Sequence, residues 1–158
     1  MAQTPVRFTL NGRETGLFVE EAANLLDVLR RGAGDISPKY GCGQGTCGAC
    51  TVLIDGAPHL GCLTLAATVE GREVRTTGGM ADGPGLTALQ TAFMEGFAAQ
   101  CGFCTPGMLM AAKALLDRNP QPTRDEVIEA ISGNLCRCTG YEPIVDAILA
   151  ASGQRGAA

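Results

Sequence analysis

The sequence has no tryptophan, two tyrosines, five phenylalanines and a single histidine in 158 residues. His59 follows Ala57-Pro58, where an exposed turn is expected. With one histidine and no triad to place it in, acid–base catalysis has no foothold. Basic residues are also scarce. Twelve Lys and Arg against 16 Asp and Glu leave a formal charge of −4, the wrong balance for a phosphate backbone, where affinity rests on Lys and Arg displacing counterions. No apolar run approaches the roughly 18 to 20 residues that span a bilayer. Residues 1–20 lack both the basic stretch and the apolar core of a secretory signal, and Arg30-Arg31 leads into GAGDIS, so a cytoplasmic location is expected. At 18% charged and 46% apolar the chain is too poor in charge for a disordered tail.

What the chain does have is 22 glycines and eight cysteines. In a reducing compartment, clustered cysteines more often bind metal or do redox work than form disulfides. The length sharpens the point. A single domain of this size buries roughly 70% of its unfolded surface, whereas two half-size domains bury nearer 60% each and need extra staples.

The pattern changes once along the chain. VRFTL alternates Val6, Phe8 and Leu10 with Arg7 and Thr9, Asn11-Gly12 supplies a hairpin turn, and GLFVE continues as a second strand. A short helix is expected over Ala22 to Arg31, starting near Glu21 or Asn24 and ending before Gly32. The loop YGCGQGTCGAC leads into strand TVLID, the turn Asp55-Gly56, and strand candidates around Leu60 to Leu65 and Glu73 to Thr77. This half reads as a small mixed α/β unit, residues 1–78. Residues 79–85 have linker composition, and 86–158 read as helical. There Leu86, Leu89, Phe93 and Phe97 recur at helical spacing as core candidates. Thr105-Pro106 opens a helix stopped by Asn119-Pro120, Thr123 with Glu126 forms a capping box, and Pro143 to Ala151 gives a fourth helix.

Each half carries four cysteines. Cys42, Cys47 and Cys50 have the spacing C-x4-C-x2-C, with Cys62 after eleven intervening residues; Cys101-x2-Cys104 and Cys136-x-Cys138 have 31 residues between them. Four thiolates per half make a full shell for one zinc or for one iron–sulfur cluster. The first spacing is that of plant-type ferredoxins, whereas zinc knuckles present two C-x2-C pairs. Gly41, Gly43, Gly45 and Gly48 would let the backbone approach a bulky cluster and turn its amides toward sulfur. In the second set Cys104 sits at a helix N-terminus, where unpaired N–H groups suit an anionic cluster; the alternative is four cysteines buried as small hydrophobes. Arg137, between two of them, reads equally as a cluster-tuning charge, an interface charge or a solvated side chain. Gly43, Gly45 and Gly48 also spell G-x-G-x-x-G with Glu70 beyond, but the stretch contains Cys47 and opens a strand rather than a helix, so it is no dinucleotide site.

GCGQGTCGACTV with Cys62, then QCGFCTPGM, then GNLCRCTGY, together resemble the small iron–sulfur subunit of the molybdenum hydroxylases, the xanthine oxidase, carbon monoxide dehydrogenase and aldehyde oxidoreductase family. The resemblance covers essentially the whole chain. It implies an α+β protein: an N-terminal β-grasp, ferredoxin-like domain holding one 2Fe–2S cluster on Cys42, Cys47, Cys50 and Cys62, then an all-α four-helix domain holding a second on Cys101, Cys104, Cys136 and Cys138. It implies that the second cluster lies nearer the molybdenum, at the interface with a large subunit, where Gln100 and Cys138 touch the pterin of the molybdenum cofactor, expected in a dinucleotide form. Without the motif, Gln100 reads as an exposed helix-end residue. The implied work is single-electron relay to FAD on a medium subunit, or to another acceptor such as a cytochrome, with no bond-making on this chain. A free-standing two-cluster carrier and a zinc-stapled interaction module are the alternatives.

Overall fold

The computed structural model describes residues 3–81 and 83–153. Strands β1 (Gln3–Leu10) and β2 (Arg13–Glu20) pair antiparallel along their whole length. Asn11 and Gly12 both adopt left-handed φ (50° and 79°), the two-residue turn whose twist matches the strands it joins. A five-stranded sheet in the order β2-β1-β5-β3-β4 is completed by β3 (Thr51–Ile54), β4 (Ala57–Leu60) and β5 (Glu73–Arg75), with β5 parallel to β1. The alternation of β1 sends Val6, Phe8 and Leu10 into a core with Leu25 and Leu29 of the helical segment. That segment is α1 (Leu25–Asp27) followed by a π-helical turn over Val28–Gly32.

Some details of the sheet half depart from the sequence reading. Helix α1 starts after Asn24, one of the two expected starts, whose side chain accepts the N–H of Asp27, but its π turn carries through Gly32 instead of stopping before it. The strand expected around Leu60 to Leu65 ends at Leu60; Gly61 turns the chain, and only Leu65 bridges, to Asn24. His59 is half-buried on β4 opposite Val52, not in an exposed turn.

The helical half consists of α2 (Ala88–Glu95), α3 (Thr105–Arg118), α4 (Arg124–Ile131) and α5 (Glu142–Ala151). The Thr123–Glu126 capping box is present, and a second one, Thr87–Gln90, opens α2. Leu89, Phe93, Met108, Ala112, Leu115, Val127, Ile131, Ile144 and Ile148 form its core. Leu86 and Phe97 do not join it: they are 53% and 83% exposed, because α2 begins after the first and ends before the second.

The two cores meet on β3. Val52 and Ile54 face the sheet core, whereas Leu53, 1% exposed, points the other way into the helical core. Met80, inside the expected 79–85 linker, also packs there. Of the expected domain spans, residues 1, 2, 82 and 154–158 lie outside the described residues. No helix among the described residues is long and apolar enough to cross a membrane.

Candidate metal centres

All eight cysteines are free thiols. The loop between the π turn and β3 carries Cys42, Cys47 and Cys50, and the turn after β4 brings Cys62 beside Cys50, tied by the bond from Gly61 N–H to the Cys50 carbonyl at 3.2 Å. In the helical half, Cys101 lies in the α2–α3 connection and Cys104 caps α3; Cys136 and Cys138 lie in the α4–α5 connection. A separation of 31 residues in sequence therefore closes to contact in space.

The thiols stand in couples. Cys42 neighbours Cys47 and Cys50 neighbours Cys62; Cys104 neighbours Cys136, and the sulfurs of Cys101 and Cys138 are 3.7 Å apart. Two thiolates on one tetrahedral metal at about 2.3 Å stand about 3.8 Å from each other. A zinc site needs its ligands around one point, and no three His, Cys, Asp or Glu side chains among the described residues converge on a single-ion position. Two couples per site are instead what a two-iron centre requires. Two further observations fit. A Cβ on Gly41 would sit 2.7 Å from Cys47 Sγ, so that position is kept clear beside the thiol. The Thr105 hydroxyl, next to Cys104, is buried without a partner, an arrangement that costs about 1–3 kcal/mol unless an acceptor such as sulfide is supplied.

Each site mixes an acidic and a suppressed thiol. Cys42 is lowered to about 5 by the Thr46 hydroxyl and the Gln44 amide; the backbone N–H groups of Gln44 and Thr46 lie 3.5 and 3.2 Å from its sulfur. Burial pushes Cys50 up to about 11 against a hydrogen bond from the Cys62 backbone, and pushes Cys104 up to about 12 with Cys136 adding to it. Burial also acts on Cys136, but the Thr139 hydroxyl and nearby amides outweigh it, and the thiol is lowered. Cys138 is raised by its contact with Cys101. A metal held by these thiols would displace the protons of the suppressed ones.

The glycine-rich loop does more than approach a cluster. At Gly41 an added Cβ would meet a cysteine sulfur, and at Gly43 it would meet the Tyr40 ring. A Cβ on Gly45 would strike Leu63, and one on Gly48 (φ +68°) would fall 2.5 Å from the Gly133 carbonyl and 2.6 Å from Asn134. Gly48 therefore serves the joint between the halves. Its carbonyl accepts from Thr51 Oγ1 (2.7 Å), Thr51 N–H (3.0 Å) and Asn134 Nδ2 (2.9 Å). The Leu135 N–H donates to the Cys47 carbonyl at 2.9 Å, so one backbone hydrogen bond links a cysteine of the first site to the residue preceding Cys136 of the second. The buried Asn134 escaped the sequence reading; an uncharged polar residue before a cysteine pair carries no periodic signal.

Gln100 is exposed, and its Nε2 donates to the Cys138 carbonyl at 3.0 Å. Together with Cys101, Phe103, Leu135, exposed Arg137 and Cys138 it lines a cavity of about 230 Å³ over the second site. The outer couple, Cys101 and Cys138, is exposed at this cavity.

Two family models match: a 2Fe-2S iron-sulfur cluster binding domain over residues 8–80 and a [2Fe-2S] binding domain over residues 68–149. The chain is 53% identical to the nicotine 6-hydroxylase small subunit of Paenarthrobacter nicotinovorans over 93% of its length and 88% of that protein. It matches a chain of quinoline 2-oxidoreductase from Pseudomonas putida 86 with a TM-score of 0.94 and 49% identity, covering 97% of this chain and 96% of that one. It is also 44% identical to the aldehyde oxidoreductase of Megalodesulfovibrio gigas, where the aligned 91% of this chain accounts for only 16% of the longer protein. With the sheet-plus-four-helix architecture and the coupled thiols, these matches place the chain among the small iron–sulfur subunits of the molybdenum hydroxylases, the electron-transfer components of multi-subunit oxidoreductases.

Proposed function

We propose that Cys42, Cys47, Cys50 and Cys62 hold one 2Fe–2S centre and Cys101, Cys104, Cys136 and Cys138 the other, within domains spanning 1–78 and 86–158 joined by 79–85. The observation that carries this reading is the coupling of the eight thiols into two couples per site. Bound there, such centres would supply one-electron transfer, so the two electrons of an oxidation in a large molybdenum–pterin subunit would pass through this chain singly, to FAD on a medium subunit or to another acceptor. The chain's own residues fix the thiols, donate hydrogen bonds to them and bridge the two sites through Leu135 and Cys47. Gln100 and Cys138, at the open cavity, contact the pterin, and the large subunit covers the outer couple.

The complex is cytoplasmic in this reading, and the large subunit selects the substrate. The names of the nicotine and quinoline relatives support N-heteroaromatic rings as the class to assay first. The test is spectroscopic. The purified complex, reduced by substrate, is expected to copurify with larger chains, molybdenum and flavin and to show two distinct 2Fe–2S EPR signals. A complex that turns over with one centre loaded would overturn the relay. A colourless chain without acid-labile sulfide would overturn the ligand assignment.

A further inference from the structure

Thr139 closes a ring of hydrogen bonds around Cys136. Its Oγ1 accepts the backbone N–H of Tyr141 at 3.2 Å and stands 3.1 Å from Cys136 Sγ. The Tyr141 phenol oxygen accepts the backbone N–H of Cys136 at 3.0 Å. A hydroxyl has one proton and two lone pairs; the Tyr141 amide occupies a lone pair, which leaves the proton for the sulfur. A ligating thiolate can only accept, so the direction of the Thr139–Cys136 bond is fixed once Cys136 holds iron.

The ring is held from outside. Tyr141 packs against the helical core and keeps φ at +73°, a conformation that a bulky residue adopts only when its surroundings impose it. The hydroxyl is thus a positioned donor on a half-buried residue, not a rotor in solvent.

We propose that the Thr139 hydroxyl raises the reduction potential of the helical-domain centre through its hydrogen bond to Cys136 Sγ. This rests on Cys136 being a ligand. Reduction adds negative charge that spreads onto the sulfurs, and a donor aimed at one of them stabilises the reduced form more than the oxidised one. Raising this potential favours arrival of an electron at the helical-domain centre, and it does so through one removable side-chain group.

The experiment is a redox titration of the whole complex, followed by EPR, with the β-grasp centre as internal reference. Thr139→Val, which keeps the shape and loses the hydroxyl, is expected to move one midpoint to more negative potential and leave the other in place. Thr139→Ser, which keeps the hydroxyl, is expected to restore the wild-type value. Unchanged midpoints in a fully loaded Thr139→Val complex overturn the proposal, as does a Ser variant that shifts as far as Val. Should Val fail to load the centre, Thr139→Ala, which also lacks the hydroxyl, is titrated in its place. A midpoint more negative than that of Thr139→Ser supports the proposal, and equal midpoints overturn it. A wild-type complex with a single EPR signal would overturn the ligand assignment itself, an outcome visible in the same spectra before any variant is made.

Discussion

The two thiol sites are assembled differently along the chain. In the β-grasp half, three of the four cysteines fall within nine residues of one loop, and the Thr46 hydroxyl with the backbone amides of Gln44 and Thr46 serves the Cys42 sulfur. In the helical half, the four come from two connections held together by helix packing, and the Thr139 hydroxyl with the amides of Cys138 and Thr139 serves the Cys136 sulfur. Each sulfur thus has one side-chain donor that a substitution can remove, among backbone donors that every residue but proline carries. What differs is that the first site is local in sequence and the second is not. The backbone differs as well. Among the described residues the non-glycine positions with left-handed φ are Asn11 and Asp55 in the sheet half and Phe97 and Tyr141 in the helical half. Asn and Asp tolerate that region; aromatic residues are outliers there.

The largest expected effect separates the sites outright. Cys50→Ser should abolish one of the two EPR signals and Cys104→Ser the other, each leaving the second signal at full intensity. Loss of both signals from either single variant would mean that the sites assemble as one unit, and the contrast would collapse.

Much of this contrast was readable in the residues. C-x4-C-x2-C with interleaved glycines is local, and spacing alone points to a ferredoxin-type centre. The second set is not local: nothing in the composition of QCGFCTPGM says that it meets GNLCRCTGY, and only the family resemblance joined them. The helices were legible from their caps and stripes, because capping boxes and apolar periodicity are short-range physics. Leu86 and Phe97 fitted the same stripe yet fall beyond the ends of α2, since periodicity marks a face and not where the helix stops. Asn134 acts through a tertiary hydrogen bond, and Thr139 and Tyr141 through hydrogen bonds within one irregular loop, none of which a periodicity encodes.

A middle-sized effect tests how far the halves are separate folding units. Leu53 sits on β3, next to Val52 and Ile54 of the sheet core, but its side chain belongs to the helical core. Truncating a buried leucine costs about 2–5 kcal/mol. Leu53→Ala should therefore lower the temperature at which both centres are lost, in one shared transition followed by visible absorbance and EPR. If the β-grasp signal persisted to the wild-type temperature while the helical one failed early, the two halves would be unfolding independently despite β3.

The smallest effect concerns the strained aromatics. Tyr141 has a reason for its left-handed backbone, since the ring around Cys136 requires it. Among the described residues no such ring surrounds Phe97. It stands just past α2, where Ala98 N–H bonds back to the Phe93 carbonyl at 2.9 Å, the helix-ending geometry that usually takes glycine. Its side chain is 83% exposed, so little burial is lost on removing it. Relief of the left-handed conformation is worth roughly 1–2 kcal/mol, and the extra freedom glycine brings to the unfolded chain takes back about half. Phe97→Gly should therefore stabilise the protein by up to about 1 kcal/mol, a rise in melting temperature of about 2–4 °C at this chain length. A fall of similar size would show that Phe97 makes contacts worth more than its strain, and would align it with Tyr141 as a second aromatic held in place for the helical site.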